Sequence, residues 1–159
     1  TISRLTPQKN IPLLIKLTQA LVAKGYFIRV SIVGDGSGKS DLIRLINVAK
    51  LEKNIHFLGK VRNVESFLNN LDLFVLTSIY EGFGLVLLEA MDAKVPIIAA
   101  NNSSIPEVLG KEHPGLFTSG SLESLVEKAQ QLMDSQLLRN TVLVHQELRV
   151  DLFPISTYV

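Results

Sequence analysis

IVGDGSGKSDL, Ile32 to Leu42, follows a β-branched run with three glycines and then a lysine and a serine. It has the outline of a phosphate-binding loop, so its spacing decides how the chain is read. A P-loop needs G-x-x-x-x-G-K-[ST], because its first glycine lets the backbone wrap the β-phosphate before the lysine arrives. Counting back from Gly38-Lys39-Ser40, that glycine would stand at position 33, which is Val33. The dinucleotide pattern G-x-G-x-x-G fits at Gly34 and Gly36 and fails at Lys39. What remains is a strand turning sharply through glycines into a helix. Lys39 then reads as a solvated helix-start residue.

Outward from that turn, short apolar runs alternate with amphipathic stretches, the pattern of a parallel sheet wrapped by helices. Helical spacing of Leu13, Leu14, Leu17, Ala20 and Leu21 predicts a helix over Asn10–Lys24, stopped by Gly25. Strands are expected at Phe27–Val33, Asn54–Leu58, Leu73–Leu76, Val95–Ala100 and Gly115–Phe117. Further helices are expected at Ser40–Lys50, Val64–Leu71, Leu85–Asp92, Ile105–Leu109, Ser121–Asp134 and Gln136–Arg149, with Ser121 as an N-cap. Thr1 opens on ISRL, a half-strand, and Phe153–Val159 reads as a tail. The fold class is α/β, a Rossmann-like doubly wound parallel sheet in one domain.

The totals bound the function. At 159 residues, 47% of them hydrophobic and 19% charged, the chain can bury one proper core. A net charge of +1 gives no general attraction to nucleic acid or membrane lipid. Cysteine is absent, which removes disulfides and thiolate chemistry and suits a cytoplasmic protein. No apolar run reaches membrane-spanning length. The chain does not open on methionine, so it is expected to be a piece of something longer.

In a doubly wound sheet, ligands bind beyond the carboxyl ends of the strands. Of the loops there, the one in FVLTSIYEGFGLVLLEAM, Phe74 to Met91, carries chemistry. A buried strand ends at Leu76, the loop runs through Ser78, Glu81, Gly82, Phe83 and Gly84, and a helix begins near Leu85. Gly82 and Gly84 leave backbone N–H groups uncovered at a helix N-terminus, where the dipole favours an anion such as a diphosphate. Glu89 lies about 7.5 Å further along the helix, so two carboxylates flank one anion site. Each can accept paired hydrogen bonds from vicinal hydroxyls, which suits ribose on one side and a second sugar on the other. Taken singly, Glu81 and Glu89 would be a solvated loop acid and a helix-surface acid, and Arg4 and Lys9 ordinary surface cations.

The ordered series is more specific than any one part. Glu81 through Glu89 resembles the E-x7-E motif of the group 1 (family 4) retaining glycosyltransferases of GT-B fold. SRLTPQKN resembles that family's G-R-L-x-x-x-K-[GN] opening, IVGDGSG its second-strand turn and IHFLGKV its V-x-F-x-G-x-V strand. EAMDAKVPIIAANNSSIPEVL resembles its E-A-M-A-x-G-x-P-V…P-E-[VL] run. The resemblance implies that Arg4 and Lys9 grip the donor diphosphate and act in catalysis with Glu81, which binds the donor sugar. It places Ser78, Gly82, Phe83, Gly84 and Leu85 against sugar and phosphate, Glu89 on the ribose, and Val61 and Arg62 at the base pocket. Gly34, Asp35 and Gly36 shape the turn beside the nucleotide. The donor is a nucleotide-diphosphate sugar, with no cofactor and no metal, since there is no D-x-D pair and His56, His113 and His145 lie far apart in sequence. A GT-B enzyme has two such domains, and this chain corresponds over residues 1–159 to the C-terminal, donor-binding one. The partners implied are the donor and the N-terminal acceptor domain of the same enzyme, with no nucleic acid and any membrane contact through that other domain. The setting implied is cell-surface polysaccharide or lipopolysaccharide synthesis at the inner face of the membrane, and the domain alone is expected to be inactive.

Three positions depart from the family pattern. Ser3 stands for a glycine, Lys94 stands for a glycine where a positive φ is expected, and Pro154 stands where Ser-Trp is common. The competing reading is a non-catalytic nucleotide or sugar-phosphate binding module, which would not need all of Arg4, Lys9, Glu81 and Glu89. A phosphorylase would want a pyridoxal-phosphate lysine, and no motif marks one.

Overall fold

The structure is a computed structural model that describes residues 1–153. The tail beyond Phe153, with Pro154, lies outside the described residues. Within them run strands β1 (Val30–Val33), β2 (Ile55–Gly59), β3 (Phe74–Leu76), β4 (Ile97–Ala100) and β5 (Leu116–Phe117), every recorded pairing parallel. The helices are α1 (Ile11–Ala23), α2 (Lys39–Val48), α3 (Val64–Leu68), α4 (Leu85–Asp92), α5 (Ile105–Leu109), α6 (Leu122–Asp134) and α7 (Gln136–Val150). A single 3-10 turn, Pro7–Lys9, precedes α1.

The sheet forms as two ladders, β1–β2 and β3–β4–β5. Ile2 bridges Val33 in parallel, and the N–H of Ser3 donates to the Val33 carbonyl at 3.0 Å. The half-strand read from ISRL therefore lies along β1. All four residues of β4, IIAA, are buried, because a central parallel strand is covered on both faces. On α1, Leu13, Leu14, Leu17 and Leu21 face the core while Lys16 and Gln19 face water. A cavity of about 850 Å³ lies between the ladders, lined among others by Thr1, Leu17, Val30, Leu73, Val75 and Ile98. The Thr1 nitrogen donates to the Ser31 carbonyl at 3.0 Å.

Two expected boundaries move by three residues. β1 begins at Val30 rather than Phe27, whose side chain is fully exposed. Pairing with β2 starts only at Val30, so the β-branched pattern before it has no neighbour to complete a ladder. Helix α3 stops at Leu68 rather than Leu71, where Asn70 folds its side-chain amide back onto the Ser66 carbonyl at 2.7 Å. Lys94 has φ 54°, the positive value anticipated for that position, and Ser121 caps α6 through the Ser124 N–H at 3.2 Å.

The far side of the sheet is sealed by a buried polar unit. Gln146 of α7 accepts the Ile97 N–H at 3.0 Å and donates to the Val95 carbonyl at 2.8 Å. His113 Nδ1 accepts the Gly115 N–H at 3.1 Å, which places the ring proton on Nε2, 3.3 Å from Gln146 Oε1. Burial lowers the His113 pKa from 6.5 to about 4; the neighbouring His145 and Lys128 charges add to that, and the Gln146 hydrogen bond opposes it. The neutral ring is thus the folded form. The unfolded chain takes up this proton near pH 6.5 and the folded chain only near pH 4, so stability is whole above 6.5 and falls as pH drops. By pH 4 the loss should approach about 3 kcal/mol. Urea midpoints across that window check it, and His113→Gln should flatten most of the slope.

Candidate active site

The site is built where the chain leaves β3. Thr77 Oγ1 donates to the Lys9 carbonyl at 3.0 Å, the Ile79 N–H to the Gln8 carbonyl at 2.8 Å, and Gln8 Nε2 to the Tyr80 carbonyl at 2.9 Å. The 3-10 turn is thereby laid against the loop after β3. Asn10, at φ 48°, turns the chain away into α1 and leaves Lys9 pointing inward.

Lys9 Nζ meets Glu81 Oε1 at 2.7 Å, and Ser78 Oγ donates to the same oxygen at 2.7 Å. Ser78 is fully buried and Glu81 nearly so. Both bonds converge on one carboxylate oxygen, and Oε2 accepts none among the described residues. Gly82 lies open to solvent, and Gly84, at φ 78°, is the residue before α4. The N–H groups of Leu85 and Val86, at the positive end of α4, find no acceptor among the described residues.

Glu89 stands on the exposed side of α4, its carboxylate without a hydrogen bond or ion pair among the described residues, and partial burial of its carboxyl raises its pKa above 4.5. Phe83 is half-buried, its ring 5.8 Å from that of Phe153 in an edge-on contact. Leu85 is half exposed. The cavity between the ladders is lined by none of these residues, so the site is placed by its chemistry and not by volume.

The glycine turn acts on the site through its neighbour. A Cβ on Gly34 would stand 1.9 Å from the Ser3 carbonyl oxygen, and one on Gly36 2.7 Å from that of Leu5. Leu5 is held at both ends, its N–H donating to the Asp35 carbonyl and its carbonyl accepting the Gly38 N–H, each at 3.0 Å. Gly34 and Gly36 thus fix the Ser3–Leu5 backbone and with it Arg4, which is exposed and unpaired among the described residues. The buried hydroxyl of Ser3 has no partner among the described residues. Val61 is half-buried and Arg62 exposed in the loop after β2, with no recorded contact to Lys9, Glu81 or Glu89. Lys39 lies 6.0 Å above the Phe57 ring, a cation–π contact that accounts for it without a phosphate.

Residues 1–143 match the family described as glycosyl transferases group 1. The chain belongs to that family. It is 31% identical over 139 residues to the poly(ribitol-phosphate) α-N-acetylglucosaminyltransferase of Staphylococcus aureus, covering 86% of this chain and 28% of that one. With the capsular polysaccharide biosynthesis glycosyltransferase CapM of the same organism it shares 29% identity over 147 residues, 89% of this chain and 38% of that one. A solved structure of a Staphylococcus aureus TarM variant, in complex with UDP among other ligands, superposes with a TM-score of 0.89 at 28% identity. That alignment covers 98% of this chain and 32% of the TarM chain. The chain spans well under half the length of these relatives. Its α/β architecture is that of a domain of GT-B glycosyltransferases.

In this group 1 domain the loop after β4 holds residues that the sequence did not single out. The Glu81 N–H donates to Ser103 Oγ at 2.9 Å, and Ser104 Oγ donates to the Glu81 carbonyl at 3.0 Å. Asn102 Nδ2 donates to the Ser78 carbonyl at 2.9 Å. The one visible signal was the run Asn101-Asn102-Ser103-Ser104 directly after a fully buried strand. Among the described residues no three His, Asp or Glu side chains gather as a metal-binding group, and no helix is long and apolar enough to cross a membrane.

Proposed function

We propose that residues 1–159 form the donor-binding, C-terminal domain of a retaining glycosyltransferase that moves a sugar from a nucleotide-diphosphate sugar to an acceptor. The observation that carries the reading is the meeting of Lys9 and Glu81, 72 positions apart, at 2.7 Å in the loop that leads into the N-terminus of α4. A cation, a helix terminus and a carboxylate with one unused oxygen suit a diphosphate joined to a sugar. Lys9 has three donors and gives one to Glu81, so it can take a phosphate oxygen without leaving its partner. Arg4 adds a second cation from the backbone fixed by Gly34 and Gly36.

On this reading the diphosphate leaves with its charge held by Arg4, Lys9 and the helix terminus. Glu81 Oε2 accepts from sugar hydroxyls, and Glu89 from the ribose. Retention through an oxocarbenium-like transition state asks chiefly for positioning and leaving-group stabilisation, which these groups supply without a metal. Ser78, Gly82, Phe83, Gly84 and Leu85 line the donor, and Val61 and Arg62 lie toward its base. The acceptor belongs to an N-terminal domain of the whole enzyme. The name of the CapM relative, a capsular polysaccharide biosynthesis glycosyltransferase, supports a role in polysaccharide synthesis, and a setting at the inner face of the membrane is part of the same proposal.

Calorimetric titration of the domain with UDP, GDP and ADP tests the reading, UDP first because the TarM variant was solved with it. Binding of one of them is expected, weakened about ten-fold or more by Glu89→Ala, which removes a charge-assisted hydrogen bond. Silence toward all three at millimolar levels would sink it. In the full-length enzyme, transfer abolished by EDTA would contradict metal independence.

A further inference from the structure

We propose that the turn Asn102–Ser104 is a positioning element for Glu81, with Ser103 and Ser104 holding its backbone on both sides so that its unused carboxylate oxygen faces the donor sugar. The inference rests on the reading of Glu81 as a donor-sugar ligand. Two independent oddities of the turn converge on the same residue. Ser103 adopts φ 44°, in the left-handed region that costs a residue with a Cβ on the order of 1–2 kcal/mol. Its hydroxyl uses that conformation to accept the Glu81 N–H at 2.9 Å while donating to Asn102 Oδ1 at 3.0 Å. Strain of this kind persists where the surroundings require it.

Ser104 stands at the N-cap position of α5, where a serine hydroxyl normally accepts an N–H of its own helix. It makes no such bond and donates instead to the Glu81 carbonyl at 3.0 Å. The backbone of one residue is thus held at both its N–H and its C=O by consecutive serines 22 and 23 positions away. The same turn holds the neighbouring ligand. Asn102 Nδ2 donates to the Ser78 carbonyl at 2.9 Å, and also to Ser119 Oγ at 2.6 Å, which ties the turn to the segment after β5. Ser78 and Glu81, whose side chains meet at 2.7 Å, are therefore set by one turn.

Neither serine touches the carboxylate, so both act through Glu81, and the quantity they govern is the added affinity that a sugar gives over the bare nucleotide. The experiment compares UDP, GDP and ADP with a panel of their hexose and N-acetylhexosamine conjugates, by calorimetry, on the wild-type domain and on Ser103→Gly, Ser104→Ala and the double variant. Each single change should cut the sugar increment about three- to ten-fold, the equivalent of one hydrogen bond, and leave bare-nucleotide affinity unchanged. Ser104→Thr, which keeps a hydroxyl at an ordinary φ, should restore the increment.

Ser103→Gly separates positioning from folding, because glycine relieves the positive φ while deleting the hydroxyl. Its melting temperature should stay level or rise as the sugar increment falls, a pairing that a merely structural serine would not produce. A wild-type increment that survives in the double variant overturns this proposal and leaves the Glu81 reading standing. Nucleotide binding with no increment from any conjugate removes the sugar role of Glu81 and the positioning with it. No nucleotide binding at all removes the donor-binding reading entire.

Discussion

Gly34→Ala is expected to destabilise the domain by about 3 kcal/mol or more and to abolish nucleotide binding together with stability. Two costs add at this position. The backbone sits at φ 127°, where a side chain is strained, and the new Cβ would lie 1.9 Å from the Ser3 carbonyl oxygen. That oxygen belongs to a backbone fastened on both sides of the clash, by Ser3 to Val33 and by Leu5 to Asp35, each at 3.0 Å. A flexible side chain could step aside; this carbonyl cannot without surrendering those bonds. Overpacking alone costs about 1–3 kcal/mol, and the strained φ a similar amount. Urea denaturation supplies the stability and calorimetry the binding. Gly82→Ala is the control, since nothing lies within 4 Å of its added Cβ, and it should lose far less stability.

The second large effect belongs to the Lys9–Glu81 pair. Their side chains are 16% and 9% exposed, so each charge depends on the other more than at an open surface. Glu81→Ala strands the ammonium and also takes the acceptor from the buried Ser78 hydroxyl. A loss of about 2–3 kcal/mol is expected, below the figure for a wholly buried pair because some solvent reaches both groups. Lys9→Met should cost a comparable amount by leaving the carboxylate with Ser78 alone. The double variant Lys9→Met/Glu81→Ala should lose at least about 1 kcal/mol less than the sum, which a double-mutant cycle measures directly. Additive losses would mean that the contact carries no coupling. Glu81→Gln, which keeps a carbonyl for both donors, should fold nearly as well yet bind the sugar moiety more weakly.

Periodicity and turn chemistry made the architecture legible. The helices at Leu85–Asp92 and Ile105–Leu109 fall where the apolar spacing puts them, and Ser121 caps α6 as its position suggests. Pairing is different, because the residues of a strand do not state which neighbour completes the ladder. Phe27 to Arg29 continue the expected strand in sequence but have no ladder partner, so β1 starts later. At the site, chain order brought Lys9 and Glu81 forward as separate candidates, but only the fold shows one carboxylate oxygen shared and the other unused. The serines that hold Glu81 stayed hidden for a further reason. Their hydroxyls bind a backbone more than twenty positions away, and backbone partners leave no trace in side-chain identity. The opening glycine turn was misleading in its own terms: its glycines lack the P-loop spacing, and they admit the backbone of residues 3 to 5.

The edge-on contact of Phe83 with Phe153 offers an optical handle on the loop. The chain contains no tryptophan, so Phe153→Trp would install a single indole against the Glu81–Gly84 segment, 5.8 Å from a ring that moves with it. Arg149, whose guanidinium lies 5.5 Å from the ring of residue 153, would make that indole sensitive to small changes in local charge. One emission band, without a label and excited at the red edge where the tyrosines absorb little, would then follow the loop in real time as a nucleotide arrives.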